Sequence, residues 1–310
     1  MLETGQASLS RCLATKGATV TKLSPAELTE RITEKSRSLG ASLVGVADVE
    51  PLKASPSHRI LPQIGMSVEP RWRDAPHDLM PAEVRWPSPA VSAVVIGISH
   101  PTTHRELDWY DGKGTPGNRI LIRIVKELSE WLEQDFSCTT YRPPYFIESD
   151  GIFMKDAAVL AGLGSIGRNN LVVTPEYGPR IRWRVLLLDQ AAKATGPLEY
   201  DPCEGCDARC RAACPVGAFD EIAYDASVLR QPQLPGTEGA YDRVTCNTKM
   251  AQDVVDAAGA LAANEEEQKD LASTMNAFEE AVMALPTADG EVRYGVKYCR
   301  RCELSCPVGR

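Results

Sequence analysis

The most constraining feature of this chain is a cysteine motif that occurs twice. The first copy runs from Cys203 to Cys214 and spells Cys-Glu-Gly-Cys-Asp-Ala-Arg-Cys-Arg-Ala-Ala-Cys-Pro. The second runs from Cys299 to Cys306 and spells Cys-Arg-Arg-Cys-Glu-Leu-Ser-Cys-Pro, and both copies end in Cys-Pro-Val-Gly. Thiolates at such short spacings converge on one inorganic centre, either a zinc ion or an iron–sulfur cluster. The two copies are therefore one motif used twice.

The proline after the last cysteine of each copy favours iron–sulfur clusters. In two-cluster ferredoxins, the cysteine before a proline leaves its own run and binds the other cluster. Two such endings predict two 4Fe–4S clusters that exchange one ligand each. The second copy is short of one upstream cysteine, and Cys246 is the candidate between the copies. The predicted ligands form two sets: Cys203, Cys206, Cys210 and Cys306 for the first cluster, and Cys214, Cys246, Cys299 and Cys302 for the second.

Two other interpretations of the cysteines stay open. A pair of structural zinc ribbons would use the same thiolate chemistry, and the three residues between Cys206 and Cys210 depart from the usual ferredoxin spacing of two. A disulfide framework is disfavoured because eight of the ten cysteines follow residue 202 and no secretory signal is evident. The remaining two, Cys12 and Cys138, are predicted to be ordinary thiols.

Composition and charge restrict the class of protein. Of the 310 residues, 43% are hydrophobic and 25% are charged, which is ordinary for a globular chain with room for two domains. The net charge of -8 argues against a protein whose main task is to neutralise nucleic-acid phosphates. No apolar run reaches the roughly 18 residues of a membrane span, and the N-terminus lacks the apolar core of a signal peptide. A cytoplasmic location is expected, with residues 1–23 as a loose extension.

The chain before the cysteines has the pattern of an α/β domain. Ser24, Pro25 and Glu27 predict a capped helix start. A second helix, with a broad apolar face, is predicted to begin at Asn118. Residues 51–90 show no sustained period. Apolar runs predict strands at 42–48, 91–98 and 182–189.

A helical insertion is predicted at about 250–290, between Cys246 and Cys299. Asn264 would cap it, and Pro286 would end it. Its apolar residues recur at helical spacing and predict a buried stripe of Leu271, Met275, Phe278, Val282 and Leu285.

Residues 161–170, Ala-Gly-Leu-Gly-Ser-Ile-Gly-Arg-Asn-Asn, have the glycine spacing of a dinucleotide-binding loop. That loop follows a strand and opens a helix. Here the preceding residues are predicted to be helical and the following ones to be a strand, so the nucleotide interpretation is rejected. The glycines predict a close approach of backbone to a flat cofactor or to another chain segment, and a helix C-cap is the alternative for Gly162. His100 and His104 are either ligands or hydrogen-bonded loop histidines.

The chain resembles the epoxyqueuosine reductase family in four features. These are the glycine segment with its continuation to Gly178, the first cysteine run, the isolated Cys246 and the final Cys-x-x-Cys-x-x-x-Cys-Pro. That family is related to the reductive dehalogenases. The resemblance covers residues 25–310. It implies an α/β nitroreductase-like domain of the cobalamin-binding type at 24–198 and a ferredoxin-like double 4Fe–4S cluster module at 199–310.

The resemblance also implies a site. Clusters would pass low-potential electrons, received from a donor such as ferredoxin or flavodoxin, to a bound cobalamin. Counting back from Ala161 by the family's spacing places the proton-donating acid at Glu148, with Asp150 two residues later, so the implied acid is one of these two. The implied cofactor contacts lie in the glycine segment: Gly162, Gly164, Ser165, Gly167, Arg168 and Asn169.

Family members continue past the last cluster into a helical-repeat region that helps to hold tRNA, whereas this sequence stops at Arg310. With the acidic charge, this makes tRNA an unexpected partner. The expected function is an iron–sulfur and corrinoid oxidoreductase that reduces a small molecule or the corrinoid itself. The alternatives are a ferredoxin-like electron carrier without a corrinoid, its α/β domain serving for docking or flavin binding, and an epoxyqueuosine reductase of tRNA modification.

Overall fold

The computed structural model describes residues 23–59, 84, 86–110, 114–145, 151–222, 237–266, 282–286 and 292–310. Side chains are described for all of these except 257–266, 282–286 and 292–296. The predicted N-terminal extension up to residue 22, with Cys12, and most of the aperiodic stretch 51–90 lie outside the described residues. None of the helices in these ranges combines the length and the apolar composition that a membrane span requires.

A four-stranded antiparallel sheet forms the centre of the N-terminal part. Strand β2 (Ser92–Ser99) pairs on both sides, so that Val94 faces Val46 on one neighbour and Leu186 on the other. The uninterrupted apolar sequence of β2 is typical of a central strand. All three strands expected from apolar runs are present in this sheet. Its strand order is β1 (Leu43–Asp48), β2, β6 (Ile181–Leu188) and β3 (Thr140–Tyr141).

Helices cover both faces of the sheet. On one face, α1 (Pro25–Ser38) and α4 (Pro116–Phe136) pack against a core that includes Val94 and Ile96. On the other, α2 (Val49–Lys53) and α5 (Met154–Leu160) pack against a core that includes Val95. Successive strand residues point to opposite faces, so β2 contributes to both cores. Burial of this apolar surface, at about 25 cal/mol per Å², is the main stabilising contribution to the domain.

The two long helices of this part begin differently from each other. At α1 the predicted capping box is present, because the Ser24 hydroxyl accepts a hydrogen bond from Glu27 N at 3.3 Å and Ser24 N donates to the Glu27 carboxylate at 2.8 Å. At α4 the predicted cap was wrong: Thr115, not Asn118, accepts from the Asn118 N–H at 3.2 Å. Pro116 at the first helical position decides the start, since proline lacks the N–H that a cap must satisfy.

The insertion between Cys246 and Cys299 is only partly helical. Helix α7 (Arg243–Glu266) begins far upstream of Asn264, which therefore lies near its C-terminal end and does not cap it. Val282–Pro286 (β7) and Val292–Val296 (β8) form an antiparallel hairpin. Leu271, Met275 and Phe278 of the predicted stripe lie outside the described residues, whereas Val282 and Leu285 belong to β7. Val282, Val292 and Val296 favour strands, and strand pairing outweighed the helical spacing.

Candidate metal centres

The first cysteine segment consists of tight turns and one short helix. Cys206 N donates to the Cys203 carbonyl at 3.1 Å, and Gly205 between them has a φ of +66°. Helix α6 (Arg209–Ala212) carries Cys210, and the Cys214 N–H donates to the Arg211 carbonyl at 2.9 Å. These turns keep successive thiols near one another, as ligands of a single centre require.

The second cysteine segment is held against two neighbours. One is the first segment, and the other is the four-stranded sheet with its helices (residues 25–188), called the sheet domain below. Helix α8 (Arg301–Ser305) carries Cys302 and packs against α6. The buried Arg180 donates hydrogen bonds to the carbonyls of Cys306, at 3.3 Å, and Val308. Both Cys-Pro-Val-Gly endings finish in left-handed glycines, with φ +64° at Gly217 and +67° at Gly309. The repeated sequence therefore repeats a backbone conformation.

Gly309 lies where no side chain fits, and this predicts a measurable difference between two glycines. A Cβ atom at Gly309 would lie 2.2 Å from Gly178 N. At Gly205 the φ is nearly the same, +66°, but no atom lies within 4 Å. Both alanine variants share the cost of a left-handed residue, about 1–2 kcal/mol. We expect Gly309→Ala to lower the melting temperature and the iron content well below those of Gly205→Ala. Equal values for the two variants would contradict the close docking of the second segment.

Four thiols form one electrostatic group, defined as the first group: Cys203, Cys206, Cys210 and Cys306. Burial raises the pKa of the Cys210 thiol, and the neighbouring Cys203 and Cys306 raise it further. Burial also raises the pKa of Cys306, with Cys203 and Cys206 adding to the effect. Thiols influence one another in this way only at short range. The structure thus brings together the predicted ligand set of the first cluster, including the cysteine from the second segment.

A second group contains Cys214, Cys246, Cys299 and Cys302. Burial raises the pKa of Cys246, and Cys299 and Cys214 raise it further. Burial raises the pKa of Cys302 to about 12, with contributions from Cys246, Cys299 and Cys210. Because Cys210 belongs to the first group, the two groups are neighbours.

The thiols of both groups disfavour one another's ionisation, and a positively charged centre removes that penalty when it binds and displaces the protons. Hydrogen bonds to sulfur come from the surrounding chain: Arg168 N donates to Cys203 Sγ and Ala218 N donates to Cys214 Sγ, both at 3.3 Å. The Tyr241 hydroxyl is hydrogen-bonded to Cys246. Such bonds stabilise thiolate charge and influence the potential of a cluster. The two groups therefore fit 4Fe–4S clusters, and iron binding at these residues stays a prediction.

The glycine segment lies between α5 and β5 (Val172–Val173), so the helix precedes and the strand follows, against the order of a nucleotide loop. Its glycines approach other chain segments. A Cβ atom at Gly162 would lie 2.8 Å from Gly196 Cα, and one at Gly164 would lie 2.4 Å from the Val173 oxygen. At Gly167 it would lie 3.5 Å from Cys203 Sγ. The glycines thus let the segment pack against the chain and the first group.

The other three predicted cofactor contacts hold this arrangement. Ser165 lies in β4 (Ser165–Ile166), which pairs with β5. The Arg168 guanidinium donates to the Cys206 carbonyl at 3.2 Å. Asn169 is buried, and its side-chain oxygen accepts from Leu171 N at 3.2 Å. The Arg168 contact ties the glycine segment to the first cysteine segment, whereas the other two contacts hold the segment together locally. The two candidate acids, Glu148 and Asp150, lie outside the described residues.

A buried ion network, which the sequence analysis missed, ties the second cysteine segment to the sheet domain. Asp108 pairs with Arg182 of β6 and with Arg300, whose Nε lies 2.9 Å from Asp108 Oδ2. Arg300 also pairs with Glu303, which is 1% exposed. Although burial opposes the shift, Arg300 and Arg182 hold the pKa of Asp108 below its ordinary value. Since Arg300 and Glu303 stand among the cysteines of the second segment, the network anchors that segment.

His100 belongs to the same network. Its Nδ1 lies 3.4 Å from a Glu303 oxygen, and His100, Asp108 and Glu303 place possible ligand atoms within 4.8 Å of one another. Both carboxylates already pair with guanidinium groups, so a divalent cation would add unbalanced positive charge. Burial lowers the pKa of His100 to about 3, which leaves it neutral. The trio is therefore a structural cluster.

His104 is exposed and hydrogen-bonded to Thr103 at 3.0 Å.

A cavity of about 500 Å³ lies beside the ion network. Its lining includes Arg105 of the sheet domain, Lys249 of α7, and Cys299 of the second group. The second group therefore adjoins a recess formed by both parts of the chain.

No protein-family model matches the chain. Its curated relatives include the epoxyqueuosine reductase of Gloeobacter violaceus, 28% identical over 225 residues, or 66% of this chain and 68% of the relative. That of Salmonella typhimurium is 27% identical over 208 residues, 63% of this chain and 53% of the relative, so the match spans about half of that protein. The solved epoxyqueuosine reductase of Bacillus subtilis is 18% identical, with a TM-score of 0.50 over 92% of this chain and 66% of its own, which shows a shared fold.

A further similar structure is an epoxyqueuosine reductase with an epoxyqueuosine-modified tRNA-Tyr stem loop, at 19% identity and a TM-score of 0.47 over 73% of this chain and 57% of its own. The expectation against tRNA was wrong, because the curated relatives are named epoxyqueuosine reductases, which was the tRNA-modifying alternative of the sequence analysis. Net charge misled the inference, since a total of -8 over the whole chain does not describe the local surface that meets a ligand. By its curated relatives the chain is similar to the epoxyqueuosine reductases, and it shares the fold of the Bacillus subtilis enzyme.

Proposed function

We propose that the chain is an iron–sulfur oxidoreductase that reduces epoxyqueuosine in tRNA. The observation that supports the redox part is the gathering of eight thiols into two groups, each with one cysteine contributed by the other segment. The names of the curated relatives supply the substrate. This proposal takes the place of the small-molecule or corrinoid substrate expected from the sequence, for which the relatives offer no support.

When bound, the two clusters would supply single electrons at low potential. The chain's own part is to hold the two groups side by side, with Cys210 near Cys302, so that electrons cross a short distance. The cavity beside Cys299 makes the second group the proposed entry for electrons from a donor such as ferredoxin or flavodoxin. The first group, against the glycine segment, is the proposed exit toward the substrate.

The proposal also includes the two domains, the location of the protein and a bound cobalamin. Residues 24–198 would be the nitroreductase-like domain and 199–310 the ferredoxin-like module, in a cytoplasmic protein. A cobalamin in the first domain rests on the family resemblance. Two of the positions assigned to it do not fit a flat ligand, because chain atoms occupy the space at Gly162 and Gly164. Adding cobalamin to the iron-loaded protein tests whether a corrinoid binds. If the absorption spectrum of cobalamin is unchanged by the protein and a reductant, the electron-carrier alternative is favoured.

The tRNA proposal predicts rescue of a bacterial strain that lacks its own epoxyqueuosine reductase. We expect expression of the chain to convert epoxyqueuosine to queuosine, measured by mass spectrometry of nucleosides from digested tRNA. Cys210→Ser is expected to abolish conversion, because it removes a ligand of the first group. Cys138→Ser is the matched control, since Cys138 is a buried thiol of the α1–α4 core. Persistence of epoxyqueuosine in a strain that contains the iron-loaded protein would exclude tRNA as the substrate.

A further inference from the structure

A lysine side chain extends from the sheet domain to the second thiol group. Lys155 lies in the first turn of α5, and its ammonium group donates to the Asn170 carbonyl at 2.8 Å. The same nitrogen lies 5.9 Å from the centre of the Tyr241 ring. Tyr241 in turn is hydrogen-bonded to Cys246. One aromatic residue thus separates the ammonium group from a predicted cluster ligand.

The lysine charge acts on the second group. Burial lowers the pKa of Lys155 to about 8, while Asp156, Cys246 and Cys302 oppose that shift. The ammonium form therefore predominates at neutral pH. The Asp156 carboxylate is engaged on another side, where it accepts hydrogen bonds from Ser57 N at 2.9 Å and Ser57 Oγ at 2.6 Å. Arg243 adds a second positive charge to the surroundings of Lys155.

We propose that Lys155 sets the reduction potential of the second cluster, acting through its charge rather than by contact with substrate. Each electron adds negative charge to a cluster. A fixed ammonium group in a poorly solvated site stabilises that charge, so it favours the reduced form. This inference rests on the clusters of the proposed function and is independent of tRNA as the substrate.

The test is a potentiometric titration of the iron-loaded protein, followed by electron paramagnetic resonance. Lys155→Gln removes the charge and keeps an N–H donor for the Asn170 carbonyl. We expect its second cluster to be at least tenfold less reduced at the wild-type midpoint, a shift of about 59 mV for a one-electron couple. The first cluster should keep its potential. Lys155→Arg, which retains the charge, should restore the wild-type value. Signals are assigned in a Cys203→Ser background, where the second cluster remains.

Lys53→Gln is the matched control, because the Lys53 nitrogen also lies 5.9 Å from an aromatic ring centre, that of Trp86, but pairs with Glu50. An unchanged potential in Lys155→Gln at about eight iron atoms per chain overturns the inference. Loss of the second cluster from both Lys155 variants also overturns it, since the residue would then be structural. Loss from the Gln variant alone, with a normal Arg variant, overturns it as well, since the charge would then hold the cluster rather than set its potential. Zinc in place of iron, or unconverted tRNA, would instead refute the proposed function.

Discussion

Replacing Cys203 and Cys306 together is expected to remove one cluster, about four iron atoms per chain, although the two residues lie in different segments. Replacing Cys302 and Cys306 together is expected to remove both clusters, about eight iron atoms, although these two are neighbours in sequence. The reason is the grouping of the thiols, in which Cys306 belongs with Cys203 and Cys302 belongs with Cys246. Iron is measured per folded chain after anaerobic reconstitution, with serine at each replaced position.

The two double variants control for each other, because both lack Cys306. If each segment bound its own cluster, the order would reverse, with about eight iron atoms lost from the Cys203 pair and about four from the Cys302 pair. A Cys12→Ser, Cys138→Ser chain should keep its full iron content. Burial raises the pKa of Cys138 to about 11, as for an inert core thiol. A loss of about four iron atoms from that variant would contradict the ligand assignment.

Asp108→Ala is expected to lower the free energy of unfolding by about 3–5 kcal/mol, because it leaves buried arginine charges without a partner. Arg182 and Arg300 both pair with this carboxylate, which is 4% exposed. Urea denaturation of the iron-loaded protein measures the change. The control is Glu127→Ala, which breaks the exposed Arg123–Glu127 pair of α4 at 3.3 Å and should cost about 0.3–0.5 kcal/mol. Similar losses in both variants would show that the network does not anchor the second segment.

The same carboxylate predicts a pH dependence of stability. The folded-state pKa of Asp108 lies below its ordinary value of 3.8, so its ionised form stabilises the fold at higher pH. That contribution is complete above 3.8 and is lost as the pH falls through the folded-state pKa. The stability difference between the wild type and Asp108→Asn should therefore shrink in acid. A difference that stays constant as the pH falls below 3.8 would contradict the assignment.

Features with local causes were predictable. The capping box of α1 depends on residues three positions apart, and β2 is recognisable from its own apolar run. The start of α4 was missed by a few residues because Thr115 and Asn118 are both good caps, and Pro116 selects the first. The β7–β8 pair was missed because Val282 and Leu285 also fit a helical spacing, and only pairing with β8 decides that they form a strand.

The ion network was beyond sequence reasoning, since Asp108, Arg182 and Arg300 come from three distant parts of the chain. A signal was nevertheless present. Arg300 and Glu303 are charged residues inserted among closely spaced cysteines, where little solvent is available. Lys155 was equally hidden, because it lies on a helix of the sheet domain and meets the second group only after the two parts pack.

The sequence alone predicted that the two cysteine segments exchange a ligand, because the spacing of thiols and the position of proline restrict how a short chain can turn around one centre. The family resemblance also followed from the sequence. Only the tertiary structure decided which charges surround the thiols, what fills the space at the glycines, and how the second segment is anchored. Those features depend on burial and on contacts between residues far apart in the chain, where the energy of a charge is set by its surroundings rather than by its sequence neighbours.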